Sequence, residues 1–147
     1  MVRSDEFFNF LIRLEEGFPE KPENNYKTSN YCIRQAVLNS FNHKHSLPME
    51  RVDTLSLEKA KDVYLEYFYL PVKSVVIPEI HFNLIDVFYN SGRKIYETML
   101  SELEDNFTVS QLYDWRLKYY NTVLGASFKV NYGLERLSKI KAYFKYR

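Results

Sequence analysis

Cysteine is almost missing from this chain. Cys32 is alone among 147 residues, so no internal disulfide can form and nothing points to an oxidising compartment. Glycine (4) and proline (5) are also scarce, which leaves no stretch resembling a long flexible linker, and no internal repeat is visible. Charge of one sign is not in excess: 20 Lys+Arg face 19 Asp+Glu, for a formal net charge of +1. A dedicated nucleic-acid binder usually carries a basic surplus, because phosphate neutralisation supplies most of its affinity, so that class is disfavoured. No apolar run approaches the roughly 20 residues a membrane span needs, so membrane insertion is not expected. The N-terminal Met1-Val2-Arg3-Ser4-Asp5-Glu6 lacks the apolar core of a signal peptide. The expectation is a protein that is cytoplasmic as synthesised and acts elsewhere only after release or delivery.

What the chain does have is aromatic rings: 13 Tyr, 11 Phe and one Trp make up 17% of it. Tyr combines an apolar ring with a polar tip, which suits a core, an interface or the face of a sugar. A length of 147 residues is most economically one domain, long enough to bury a core without staples. Helical periodicity dominates. Ser4 reads as the cap of a first helix whose apolar face is Phe7, Phe10, Leu11 and Leu14, with Gly17 placed as a C-cap glycine. A second helix is expected from about Ser29 to Phe41, with Ile33, Val37 and Phe41 in one stripe. Ser56 reads as the next N-cap, and Pro78 suits the first turn of a helix carrying Phe82, Ile85, Phe88 and Tyr89. Gly92 marks a break, and Thr108 with Gln111 forms a capping box ahead of Leu112, Trp115 and Tyr119. The last helix offers Leu134, Leu137, Lys141 and Phe144. No sustained alternation argues for a sheet, so the expected fold is all-α, with about six or seven helices in one domain.

Glu16 ends the first of these helices, just before Gly17. The C-terminal end of a helix carries partial negative charge, which disfavours a second negative charge and moves a carboxyl pKa upward. A carboxyl kept protonated near neutral pH is what glycosidic cleavage asks of a general acid. Other constellations are weaker. His43 and His45 flank Lys44 and read as a surface loop, His81 is distant, and no metal site or cofactor is expected, since zinc wants three or four ligands at workable spacing. Cys32 has no third group to form a nucleophilic triad. Neither a phosphate loop, a dinucleotide fingerprint nor a Ser nucleophile elbow is present. The basic end of the chain, Lys139, Lys141, Lys145 and Arg147, reads first as a solvated helix terminus favoured by the macrodipole.

Several blocks together resemble one family. Leu14-Glu15-Glu16-Gly17-Phe18, a polar loop and Ser29-Asn30-Tyr31-Cys32-Ile33 are similar to the E-G-G and T-N-Y-G-I motifs of glycoside hydrolase family 108. Leu55-Ser56-Leu57-Glu58-Lys59-Ala60 with Tyr64 and Tyr67-Phe68 resembles its L-T-x-E-x-A block. Asp86-Val87-Phe88-Tyr89-Asn90-Ser91-Gly92 resembles its F-D…V-N-x-G block. Trp115-Arg116, Tyr119-Tyr120, Phe128 and Arg136 are similar to the C-terminal region, often described as peptidoglycan-binding. The likeness runs over about residues 7–140 in the family's order.

That resemblance implies a lysozyme-like muramidase that cleaves the β-1,4 bond between N-acetylmuramic acid and N-acetylglucosamine, with peptidoglycan glycan strands as its partner, as in phage endolysins. Glu16 is then the general acid, and Ser29, Tyr31, Asp86 and Asn90 are substrate-binding candidates. Asp86 and Asn90 fall on an inward helix face, where structural hydrogen bonding serves equally well. The implied partition is a catalytic-type part over about 1–105 and a peptidoglycan-binding-type part over about 106–147, within one domain of 1–147. The chain departs from the pattern where Phe18 replaces the second Gly of E-G-G, Tyr26-Lys27 replace the loop's Gly-Gly, Cys32 replaces the Gly of T-N-Y-G-I, and Tyr132-Gly133 replace a Gly-Trp. Asn24 or Asn25 stands at the loop's acidic position, leaving Glu20, Glu23 and Asp86 as candidates for a second carboxylate. Two further readings follow: a wall-binding or assembly module without activity, and a lytic transglycosylase that needs one acid alone.

Overall fold

Among the described residues, the periodic apolar positions form seven α-helices. The computed structural model describes residues 3–16, 29–72, 76–122 and 128–146, with the side chains of Glu16 and of residues 128–131 outside that description. The chain divides into two units, Met1–Lys73 and Ser74–Arg147.

In the first unit, α1 (Arg3–Glu16) turns Phe7, Phe8, Leu11 and Leu14 inward. Each such side chain contributes about 1.5–3 kcal/mol when fully buried, enough to fix the rotation of the helix about its axis. The helix begins at Arg3, so Ser4 lies inside the first turn and does not cap it. Asp5, in that turn, pairs with Lys61.

The expected helix from Ser29 is a correction. Residues 29–34 form a two-residue hairpin: β1 (Ser29–Asn30) pairs antiparallel with β2 (Ile33–Arg34), with Ser29 opposite Arg34 and Asn30 opposite Ile33. The turn residues Tyr31 and Cys32 have φ of 50° and 69°. Two positive φ values are the signature of the mirror-image turn that matches strand twist, and they forbid a right-handed helix there. The stripe Ile33, Val37 and Phe41 misled because Ile33, fully buried, enters the core from a strand. The helix itself, α2, is Gln35–Lys44. Gln35 fastens it: its Nε2 donates to the Glu50 carbonyl at 2.9 Å and its Oε1 accepts from Val52 N–H at 2.8 Å. α3 (Leu57–Tyr64) is capped by the Ser56 hydroxyl, which accepts from Lys59 N–H at 3.2 Å, and continues as a π-helical turn over Leu65–Tyr69.

The second unit holds α4 (Pro78–Ser91), α5 (Arg93–Glu102), α6 (Val109–Thr122) and α7 (Phe128–Lys145). Pro78 opens α4 in the first turn, where its missing N–H costs nothing. Gly92 separates α4 from α5 at φ 91° and ψ 170°, a conformation other residues rarely adopt. The capping box at α6 is closed in both directions: Gln111 N–H donates to the Thr108 hydroxyl at 3.1 Å, and Thr108 N–H donates to Gln111 Oε1 at 2.8 Å. α4 packs on α5 and α6, and α6 packs on α7. No helix of the described residues is long and apolar enough to cross a membrane.

Candidate functional site

Glu16 is the last residue of α1. Its backbone thus occupies the helix terminus that raises a carboxyl pKa in principle, while its side chain and residues 17–28, including Glu20, Glu23 and the C-cap candidate Gly17, lie outside the described residues. The hairpin that follows belongs to the same unit and carries the next two candidates. Ser29 is half-buried at the start of β1, and Tyr31 stands exposed in the turn. Cys32, the second residue of that turn, is buried.

The chain's Cys32 therefore adopts the left-handed conformation at the position where the T-N-Y-G-I pattern has its glycine. A left-handed residue other than Gly costs roughly 1–2 kcal/mol, so the surroundings must hold it there. Tyr64 of α3 stands near Cys32 and is buried against Phe8 of α1, with ring centroids 4.9 Å apart. Burial, then the nearby Tyr69, Asp5 and Cys32, push the Tyr64 hydroxyl pKa far above its ordinary value.

Asp86 and Asn90 sit on α4 in the second unit, inside a polar network that the core closes over. The Asp86 carboxylate is fully buried. Arg136 of α7 donates from Nη2 to Oδ1 at 2.6 Å and from Nε to both oxygens at 3.1 Å. Arg116 of α6 donates from Nη2 to Oδ2 at 2.6 Å. Burial alone would raise the Asp86 pKa; Arg136 and Arg116 reverse that and hold it below the ordinary carboxylate range. Burial alone would lower the Arg116 pKa, and Tyr120 and Asp86 hold it above the usual value instead.

The network extends both ways. Arg116 Nη1 donates to Asn83 Oδ1 at 2.6 Å, Asn83 Nδ2 donates to the Tyr113 hydroxyl at 3.2 Å, and that hydroxyl donates to Glu79 Oε2 at 2.8 Å. The Tyr120 hydroxyl accepts from Arg116 Nη2 at 3.2 Å and from Asn90 Nδ2 at 3.1 Å, and Arg136 Nη1 donates to the Tyr132 hydroxyl at 2.8 Å.

The structure thus places Asp86 in the core, as a structural hydrogen-bonding group and not on a sugar-facing surface. Its two oxygens are taken and its pKa is low, so it cannot act as a catalytic base. Asn90 is half-buried with one amide hydrogen committed to Tyr120. The candidates therefore gather as two sets: Glu16, Ser29 and Tyr31 in the first unit, Asp86 and Asn90 in the second. The partners that sequence reasoning missed are Arg116 and Arg136. The signal was present, since Arg116 falls in the apolar row Leu112, Arg116, Tyr120 of α6, all buried. A buried arginine requires a carboxylate, and Asp86 lies in the apolar stripe of α4.

Among the described residues, no group of three or more His, Cys, Asp and Glu side chains is placed to hold a metal ion. His45, at the end of α2, instead lies with Nε2 2.8 Å from Glu66 Oε1 and its ring over Phe41, with centroids 4.4 Å apart. No protein family, no curated protein and no solved structure matches the chain.

Proposed function

We propose that the chain is a peptidoglycan-directed domain of the family 108 type, with Glu16 as general acid and Ser29 and Tyr31 as contacts to the glycan strand. One observation carries this reading. The turn at Tyr31-Cys32 keeps positive φ at the position where the family pattern places glycine, although this chain has none there. A geometry held against the preference of its own residue speaks for a backbone shape under functional demand. It stands on the same unit as Glu16, at the end of a helix whose dipole favours the protonated acid. In that role the protonated Glu16 carboxyl gives its proton to the leaving glycosidic oxygen as the sugar–oxygen bond breaks.

A second reading is favoured by the state of Asp86. With that carboxylate locked between two arginines, one of the three candidates for a second catalytic carboxylate is gone. A wall-binding module that no longer cuts would keep the same fold. Isolated sacculi separate the two. Under the hydrolase reading, wild type releases reducing ends and Glu16→Gln does not, while both sediment with the sacculi. Sedimentation without release by wild type supports the binding module. Full release by Glu16→Gln sinks the assignment of Glu16, and anhydro ends in the released fragments mark a transglycosylase.

A further inference from the structure

Among the described residues, the fully buried charged groups are distributed unevenly. Asp86 is fully buried on α4, in the second unit, accompanied by the buried guanidiniums of Arg116 and Arg136. In the described part of the first unit the polar side chain buried as a whole is Asn42, which does not titrate, and the paired carboxylates stay more than a quarter exposed: Asp5 with Lys61, Glu50 with Lys59, Asp53 with Arg51, and Glu66 with Lys44 and His45. Exposed pairs of this kind stabilise a fold weakly, whereas an uncompensated buried charge is strongly destabilising.

We propose that the second unit is an acid-labile module: neutralising Asp86 opens Ser74–Arg147 while Met1–Lys73 keeps its helices. The groups around Asp86 enforce this. From α6 come Arg116 and the hydroxyls of Tyr113 and Tyr120; from α7 come Arg136 and Tyr132; α4 itself supplies Glu79, His81, Asn83 and Asn90. α5 presents the Arg93 guanidinium and the Tyr96 ring to Phe88. Once Asp86 takes a proton, the Arg116 and Arg136 guanidiniums face a neutral carboxyl in place of the carboxylate that holds them. Separation of α4 from α6 and α7 then hydrates both at once. The sign follows from the lowered Asp86 pKa: its stabilisation is complete above the unfolded-state value of about 3.9 and is lost as pH falls below it.

The single tryptophan makes the test direct. Trp115 lies on α6, so its fluorescence reports the second unit, while helical circular dichroism reports both. Acid titration of the full chain is expected to move Trp115 emission to the red in a step that takes more than half of the helical signal, with the remaining helix lost at lower pH. Because Trp115 Nε1 donates to Glu102 Oε2 at 2.6 Å, the titration is repeated on Glu102→Gln, which keeps an acceptor without the titrating carboxyl and should give the same two steps. Asp86→Asn is expected to show red-shifted emission and partial helix already at neutral pH. One common acid midpoint for both probes overturns the proposal, as does loss of the residual helix first. So does native emission with an unchanged midpoint in Asp86→Asn, or complete loss of helix in that variant at neutral pH.

Discussion

Gly133 of α7 lies directly beneath the ring of Tyr120 on α6, so close that a methyl group added there would come within 2.6 Å of Tyr120 Cε1. The ring cannot swing aside, because its hydroxyl is held by Arg116 and Asn90 and the residue is buried. Glycine here is a packing requirement in the middle of a helix, where it otherwise costs about 1 kcal/mol relative to alanine. Gly133→Ala is therefore expected to destabilise the second unit by about 1–3 kcal/mol despite its better helix propensity. Thermal unfolding checks it, with a fall of roughly 4–8 °C per kcal/mol for a unit of this size. A raised midpoint would show that α6 and α7 do not approach this closely.

Arginine geometry is the second point of test. Arg136 reaches Asp86 with two of its nitrogens and Tyr132 with a third, a pattern that needs the planar guanidinium fork. Arg136→Lys keeps the charge and loses the fork. It is expected to forfeit much of the roughly 3–5 kcal/mol that removing a partner from a buried pair costs. Arg136→Met should be no better. Urea denaturation of both variants measures this, and wild-type stability in the lysine variant would reduce the cluster to simple charge balance.

The features legible in the sequence were those in which a residue acts on its immediate neighbours. The capping box of Thr108 and Gln111, the cap at Ser56, Pro78 in a first turn and the break at Gly92 each depend on groups a few positions apart. The hairpin was hidden because its turn uses Tyr31 and Cys32, neither of which signals positive φ as Asn-Gly would. The buried network was hidden for another reason. Asp86 and Arg136 are 50 positions apart, and Arg116 meets Asp86 only once α4 and α6 pack together, 30 positions away.

Gly92 carries a conformational requirement without a packing one. A Cβ there would meet nothing within 4 Å, so space is not at issue. Its φ of 91° with ψ of 170° lies in a region that is essentially glycine's own. Gly92→Ala is expected to cost about 1–3 kcal/mol from backbone strain alone. Calorimetry on this variant beside Gly133→Ala separates strain from overpacking: a Tyr120→Leu background should relieve the second variant and leave the first unchanged.

Tyr31 allows stability and function to be pulled apart. Its φ of 50° strains a residue that is 37% exposed, whereas Asn tolerates left-handed backbone. Tyr31→Asn is therefore expected to stabilise the first unit by about 0.5–1 kcal/mol, since the relief of strain exceeds the partial burial given up. Under the proposed function the same change removes an aromatic contact to the glycan strand, so binding to sacculi should weaken as the melting temperature rises. A variant that melts higher and binds as tightly as wild type would leave Tyr31 with a role in the turn alone. One that melts lower would mean that the Tyr31 ring contributes more to the hairpin than its backbone conformation costs.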